Sequence, residues 1–149
     1  MEISPQDRFF GDYQHTVDGK NRITIPSLWR GEDLNSLFAV KFRKLGIIKL
    51  MPKVELMRQG SRFLNNPKYS PARAKRLRRK LYGSSPECPL DKEGRIILPS
   101  AMMESLALPR EVVLVGVGES IEVWDRKKWS SEKDDLEDEL EETSEEEGM

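Results

Sequence analysis

Two short loops set arginine and lysine beside aspartate at a repeated spacing: Asp18-Gly19-Lys20-Asn21-Arg22 and Asp91-Lys92-Glu93-Gly94-Arg95. In each, an aspartate opens the loop, an arginine closes it four residues on, and a β-type run ends in proline, at Pro26 and at Pro99. Arginine suits the recognition of a phosphate or a guanine edge, because its planar fork makes two parallel hydrogen bonds. Aspartate in a tight turn accepts bonds from nearby backbone N–H groups and can pair with the arginine. Lys20 and Arg22 are therefore candidate DNA contacts, with Asp18 and Asp91 as loop braces. Glu93 makes the second loop less basic, so Lys92 and Arg95 are assigned a secondary DNA-contact or structural role.

Other chemistry is poorly provided for. His15 is the only histidine and Cys88 the only cysteine. That excludes a multi-thiolate or histidine-rich metal site and an intrachain disulfide framework. Gly116-Val117-Gly118 lacks the spacing and following helix of a dinucleotide site, and reads as a tight turn between strands. No catalytic residue, metal or cofactor is expected.

The elements that must hold the two loops repeat with them. A strand over residues 13–17 precedes the first loop, and residues 23–25 follow it; the pair reads as a β-hairpin, with Gly19 and Asn21 supplying residues that tolerate positive φ. A helical turn near Leu28–Arg30, strands over 38–42 and 47–51, and a helix from Pro52 with Val54, Leu56 and Met57 as its apolar face come next. Shifting the chain by 73 positions, the distance between the two aspartates, reproduces this order. Residues 12–58 and 85–129 thus read as two copies of one unit. Neither copy can cover its own strand edges, so the two are expected to merge into one barrel-like core.

Between the copies, residues 59–84 form a connector. Ser70-Pro71 is an N-cap and first-turn proline for a helix over 72–82, with Leu77 and Leu81 on a thin apolar stripe. Its remaining face is basic, and Arg78 and Arg79 are further candidate DNA contacts. The 25 basic and 26 acidic groups of the 149 residues divide unevenly. Residues 131–149 hold 11 acids and one base, leaving 24 bases against 15 acids and a net charge of +9 on residues 1–130. A basic body with an acidic tail points to a polyanionic partner for the body. The tail, from residue 130, reads as disordered or loosely helical, and could compete with nucleic acid for the basic body. No apolar run is long enough to span a membrane; residues 1–8 read as a frayed start, and a cytoplasmic location is expected.

The succession His15-Thr16-Val17-Asp18-x-Lys20-x-Arg22-Ile23-x-Ile25-Pro26, Arg78-Arg79-x-Leu81-Tyr82-Gly83, Leu90-Asp91-x-x-Gly94-Arg95-Ile96-Ile97-x-Pro99 and the run from Glu111 to Asp125 resembles the MraZ family across residues 9–130. Phe9-Phe10-Gly11 stands where the family has phenylalanine-arginine-glycine, and Asn21 where it has glycine. The resemblance implies an α+β, mainly β fold of the SpoVT/AbrB type, a swapped-hairpin β-barrel with flanking helices. It also implies a homo-oligomeric ring and a nucleoid-associated transcriptional regulator, usually a repressor. Such a regulator acts on the division and cell-wall gene cluster containing its own gene, by binding direct repeats in promoter double-stranded DNA. The family's DNA contact carries over to Lys20 and Arg22. The alternative is an oligomeric scaffold whose basic helix docks an acidic protein.

Overall fold

The computed structural model describes residues 7–148; most of the frayed start expected over residues 1–8 lies outside them. The chain runs β1 (Phe9–Thr16), β2 (Arg22–Thr24), α1 (Ser27–Arg30), β3 (Ser36–Phe42), β4 (Ile47–Met51), α2 (Lys53–Asn65), α3 (Pro71–Gly83), β5 (Glu87–Pro89), β6 (Arg95–Ile97), α4 (Ser100–Leu106), β7 (Glu111–Gly118), β8 (Ile121–Asp125) and α5 (Arg126–Glu146). The series β2-α1-β3-β4-α2 recurs as β6-α4-β7-β8-α5, and β2 and β6 are offset by the 73 positions that separate the two aspartates.

The fold is α+β, with six antiparallel-paired strands in the order β1-β7-β8-β4-β3-β5 and a separate two-stranded ribbon, β2-β6. The expected closed barrel is not what forms. The sheet stays open, with β1 and β5 at its edges, and the ribbon packs across it through one shared core. Strand alternation explains the layering. Leu37, Ala39, Ile48, Leu50, Val112 and Leu114 point to one face, where they meet Ile23 and Ile96 of the ribbon. Val40, Val113, Val115 and Trp124 point to the other face, beneath α2, α3 and the base of α5.

Strand pairing overturns the local hairpin expected around residues 18–22. β1 pairs along its whole length with β7, Thr16 opposite Glu111, and β2 pairs with β6, Ile23 opposite Ile96. Each loop strand thus finds its partner in the other repeat. Gly116 is not in a turn either: it sits within β7 opposite Gly11. A Cβ on Gly116 would run into the Phe9–Phe10 backbone, so the glycine lets β1 approach.

The helices follow their caps. Ser70 Oγ accepts from the Arg73 N–H at 3.2 Å, with Pro71 in the first turn of α3. In α2, Leu56, Gly60 and Glu55 are buried, while Val54 and Met57 are exposed, contrary to the apolar face expected there. Packing on α3, whose Tyr82 lies against Gly60, selects that face. Cys88 is buried in the core, and burial pushes its thiol up to about 11.

Of the two states expected for the tail, the helical one forms: its residues through Glu146 continue α5, and none of that helix's residues is buried. Asp125 caps it, accepting from the Lys127 N–H at 2.9 Å. Trp129 Nε1 and Lys133 Nζ both donate to Asp12 Oδ2, at 2.8 and 3.0 Å. Those contacts hold the first turns in place, which offsets the cost of helix nucleation. Glu and Leu beyond them are strong helix formers, a property that charge content alone hides.

Candidate nucleic-acid interface

The two loops have the same hydrogen-bond pattern. Asp18 Oδ1 accepts from the N–H groups of Lys20 and Arg22 at 2.9 and 2.8 Å, and Arg22 Nε donates to Asp18 Oδ2 at 2.7 Å. Asp91 Oδ1 accepts from Glu93 and Arg95 at 3.0 and 2.9 Å, and Arg95 Nε donates to Asp91 Oδ2 at 2.8 Å. Backbone bonds close each turn, Asn21 N–H to Asp18 O and Gly94 N–H to Asp91 O, both at 3.0 Å. Asn21 and Gly94 occupy equivalent places with φ of 59° and 75°. Asparagine enters this left-handed region at modest cost; Gly19, the other residue expected to do so, does not.

The bonds act directly on the acids. The backbone N–H of Arg22, with its side chain and the Lys20 N–H, holds the Asp18 carboxyl at about 2. Asp91 is lowered by the corresponding Arg95 and Glu93 groups. The Arg95 guanidinium is pushed up, first by its bond to Asp91 and further by the charges of Asp91, Glu93 and Asp18. At neutral pH both loops therefore present an ionised carboxylate paired with the loop arginine.

The ribbon sets the loops relative to each other. In the antiparallel register Thr24 faces Arg95 and Arg22 faces Ile97. Residues two apart share a face, so Arg22, Thr24, Arg95 and Ile97 lie on one side of the ribbon while Ile23 and Ile96 are buried on the other. The Ile25 N–H to Gly94 O and Leu98 N–H to Asn21 O bonds, at 2.9 and 2.7 Å, extend the pairing into both loops.

The two arginines differ in what remains free. Arg95 donates from a terminal nitrogen to Glu93 Oε2 at 3.3 Å. Both terminal nitrogens of Arg22 lack a partner among the described residues, and Lys20 and Lys92 are exposed and unpaired there. Arg78 and Arg79 lie on α3, which packs against α2, and no hydrogen bond among the described residues joins them to either loop.

Two further arginines, which the sequence reading missed, back the loops. Arg110 donates to the carbonyls of Asp18 and Val17 at 2.6 and 3.4 Å, bringing a third cation to the first loop from the other repeat. The Arg30 guanidinium lies against Gly94 so closely that a Cβ there would collide with it. Neither arginine occupies a repeated position, so no local spacing marked them. His15 links β1 to the ribbon, its Nε2 accepting from the Thr24 N–H at 3.2 Å, and burial lowers its pKa.

Among the described residues no group of His, Cys, Asp and Glu is arranged to hold a metal ion, and no helix is long and apolar enough to cross a membrane. What the arrangement offers is a solvent-facing ribbon with cations at both ends. The family model "MraZ protein, putative antitoxin-like" matches residues 81–148. The Transcriptional regulator MraZ of Heliobacterium modesticaldum is 34% identical over 122 residues, 82% of this chain and 84% of that protein. The Transcriptional regulator MraZ of Mesoplasma florum is 31% identical over 137 residues, covering 92% and 93%, and that of Lachnoclostridium phytofermentans 33% identical over 132 residues, covering 89% and 92%. With identity at this level across most of both chains, this chain belongs to the MraZ family.

Proposed function

We propose that this chain is a sequence-specific DNA-binding transcriptional regulator without catalytic activity, whose contact surface is the exposed face of the β2-β6 ribbon with its two loops. The relatives' names support transcription regulation. The observation that carries the DNA surface is Arg22: its carboxylate partner is engaged through Nε, which fixes the side chain and leaves the bidentate end of the guanidinium free. A two-stranded β-ribbon fits the roughly 12 Å major groove of B-DNA, where arginine reads guanine. In this reading Asp18 and Asp91 brace the loops, Lys20 and Arg22 make the primary contacts, and Lys92 and Arg95 add secondary ones.

The finer reading follows the family resemblance. Residues 12–58 and 85–129 act as two half-domains joined by the connector 59–84, and their cross-paired strands support the swapped-hairpin arrangement. The chain assembles as a homo-oligomeric ring on promoter direct repeats and represses a division and cell-wall cluster that includes its own gene. Linked sites raise overall affinity when the repeat spacing matches the ring. The test is a gel shift on the DNA upstream of the protein's own gene against a shuffled duplex. Specific retention that Arg22→Ala weakens supports the proposal; equal retention of both duplexes rejects it.

The scaffold reading keeps one observation in its favour. Arg73, Lys75, Arg76, Arg79 and Lys80 of α3 are exposed, and none forms a salt bridge among the described residues. Binding of an acidic protein with no DNA retention would favour it.

A further inference from the structure

We infer that the acidic helix α5 of one copy docks in the basic-rimmed groove between α3 and β3 of a second copy. The inference supplies a contact for the homo-oligomer proposed above, and is tested so that the two can fail separately.

The donor side is a seam on α5. Trp129, Lys133, Leu136, Leu140 and Thr143 recur at alternating spacings of four and three, which places them on one stripe of the helix. Leu136 and Leu140 are 45% and 64% exposed. Acids flank the seam at Glu132, Glu137 and Glu139. Two α5 helices side by side would set these acids against one another, so α5 is a poor partner for itself. It is also strained electrostatically along its own length. Glu137 and Glu141, Glu141 and Glu145, and Glu142 and Glu146 are like charges one turn apart, and the last of them lie at the negative end of the helix dipole. A cationic surface relieves all of this.

The acceptor side has that chemistry. Phe42, Phe63, Leu77 and Leu81 form an apolar groove floor, with the exposed Lys41 and Lys80 on its lining. Neither lysine meets an acid among the described residues: Lys41 Nζ bonds the neutral Ser105 Oγ at 3.0 Å. The lengths agree, since α3 has 13 residues and the α5 segment from Lys133 to Glu146 has about 14, each roughly 20 Å at 1.5 Å per residue. Seam and groove are both open in one chain, and the base of α5 is fixed by its bonds to Asp12. The contact is therefore made between copies. It joins two different surfaces, a head-to-tail arrangement that propagates into a ring when the rotation closes.

Sedimentation velocity of the full chain over a concentration series tests this, with Leu136→Glu/Leu140→Glu, with Lys41→Glu/Lys80→Glu, and with an equimolar mixture of the two variants. All four positions are exposed, and circular dichroism verifies that each variant is folded. The wild type should self-associate, and each variant should weaken that by about tenfold or more, by placing charge on the seam or reversing it at the groove. The mixture should form a one-to-one pair and nothing larger, because one intact groove meets one intact helix. Variants that associate like the wild type, or a mixture of folded variants that does not pair, overturn the α5 contact and leave the oligomer standing. A wild type that stays monomeric throughout overturns both.

Discussion

Arg95 stands directly across the ribbon from Thr24, and Thr24 lies two residues from Arg22, so the two loop arginines are diagonal neighbours on one solvent face. Such neighbours sit roughly 7–8 Å apart. Both loops therefore belong to one candidate surface. The sequence alone ranks them, with the first loop as the primary DNA contact and the second as a secondary contact or a structural support. Availability still separates them: Glu93 occupies a terminal nitrogen of Arg95, and nothing among the described residues occupies those of Arg22.

That difference predicts an order of effects. Arg22→Ala should weaken binding to the upstream DNA by about 1–3 kcal/mol, the worth of a bidentate base contact. Arg95→Ala should cost less, and Glu93→Gln should strengthen binding by freeing Arg95. Fluorescence anisotropy titrations at fixed salt measure all three. A larger loss for Arg95→Ala than for Arg22→Ala would contradict the assignment.

The braces predict an acid response. Asp18 is held at about 2 by the Arg22 backbone and side chain, and Asp91 is lowered in the same way. A carboxyl whose folded pKa is depressed contributes stability that is complete above its unfolded value, near 3.8, and is lost as pH falls through its folded one. Both loops should therefore stay intact at pH 5 and release their arginines only in stronger acid. Asp18→Asn should weaken DNA binding at neutral pH, because an amide N–H would oppose the Arg22 Nε. It should also flatten the acid limb of the stability curve, followed by circular dichroism from pH 5 to pH 2.

His15 predicts a second pH effect, in a different window. Burial lowers its pKa from 6.5, and its Nε2 accepts from the Thr24 N–H. Between the lowered value and 6.5 the unfolded chain binds more protons than the folded one, so stability rises with pH there. Protonation would turn the acceptor into a donor facing a donor. His15→Gln should remove that slope from the melting temperature measured between pH 5 and 7.5; an unchanged slope would assign it to other groups.

Backbone geometry predicts unequal glycine effects. Gly116→Ala should destabilise by about 1–3 kcal/mol, since the new Cβ meets the Phe9–Phe10 backbone and cannot be relieved by a rotamer change. Hydrogen exchange should show β1 loosening first. At the equivalent loop positions, Asn21→Gly should be close to neutral, whereas Asn21→Ala should cost about 1 kcal/mol for its left-handed φ. Chemical denaturation resolves the pair.

The duplication, the two Asp-to-Arg turns, the Ser70 cap and most strand positions were legible in the sequence, because each depends on groups within a few residues of one another. An aspartate accepting from N–H groups two and four residues on needs no distant partner. Strand partners are another matter, since every strand offers the same donors and acceptors and only joint burial of faces chooses between pairings. Tertiary structure alone sent β1 to β7 and β2 to β6, set Arg22 and Arg95 on one face, and brought Arg110 and Arg30 to the loops. It likewise anchored α5 through Asp12, 117 residues from Trp129, a contact that no local pattern encodes.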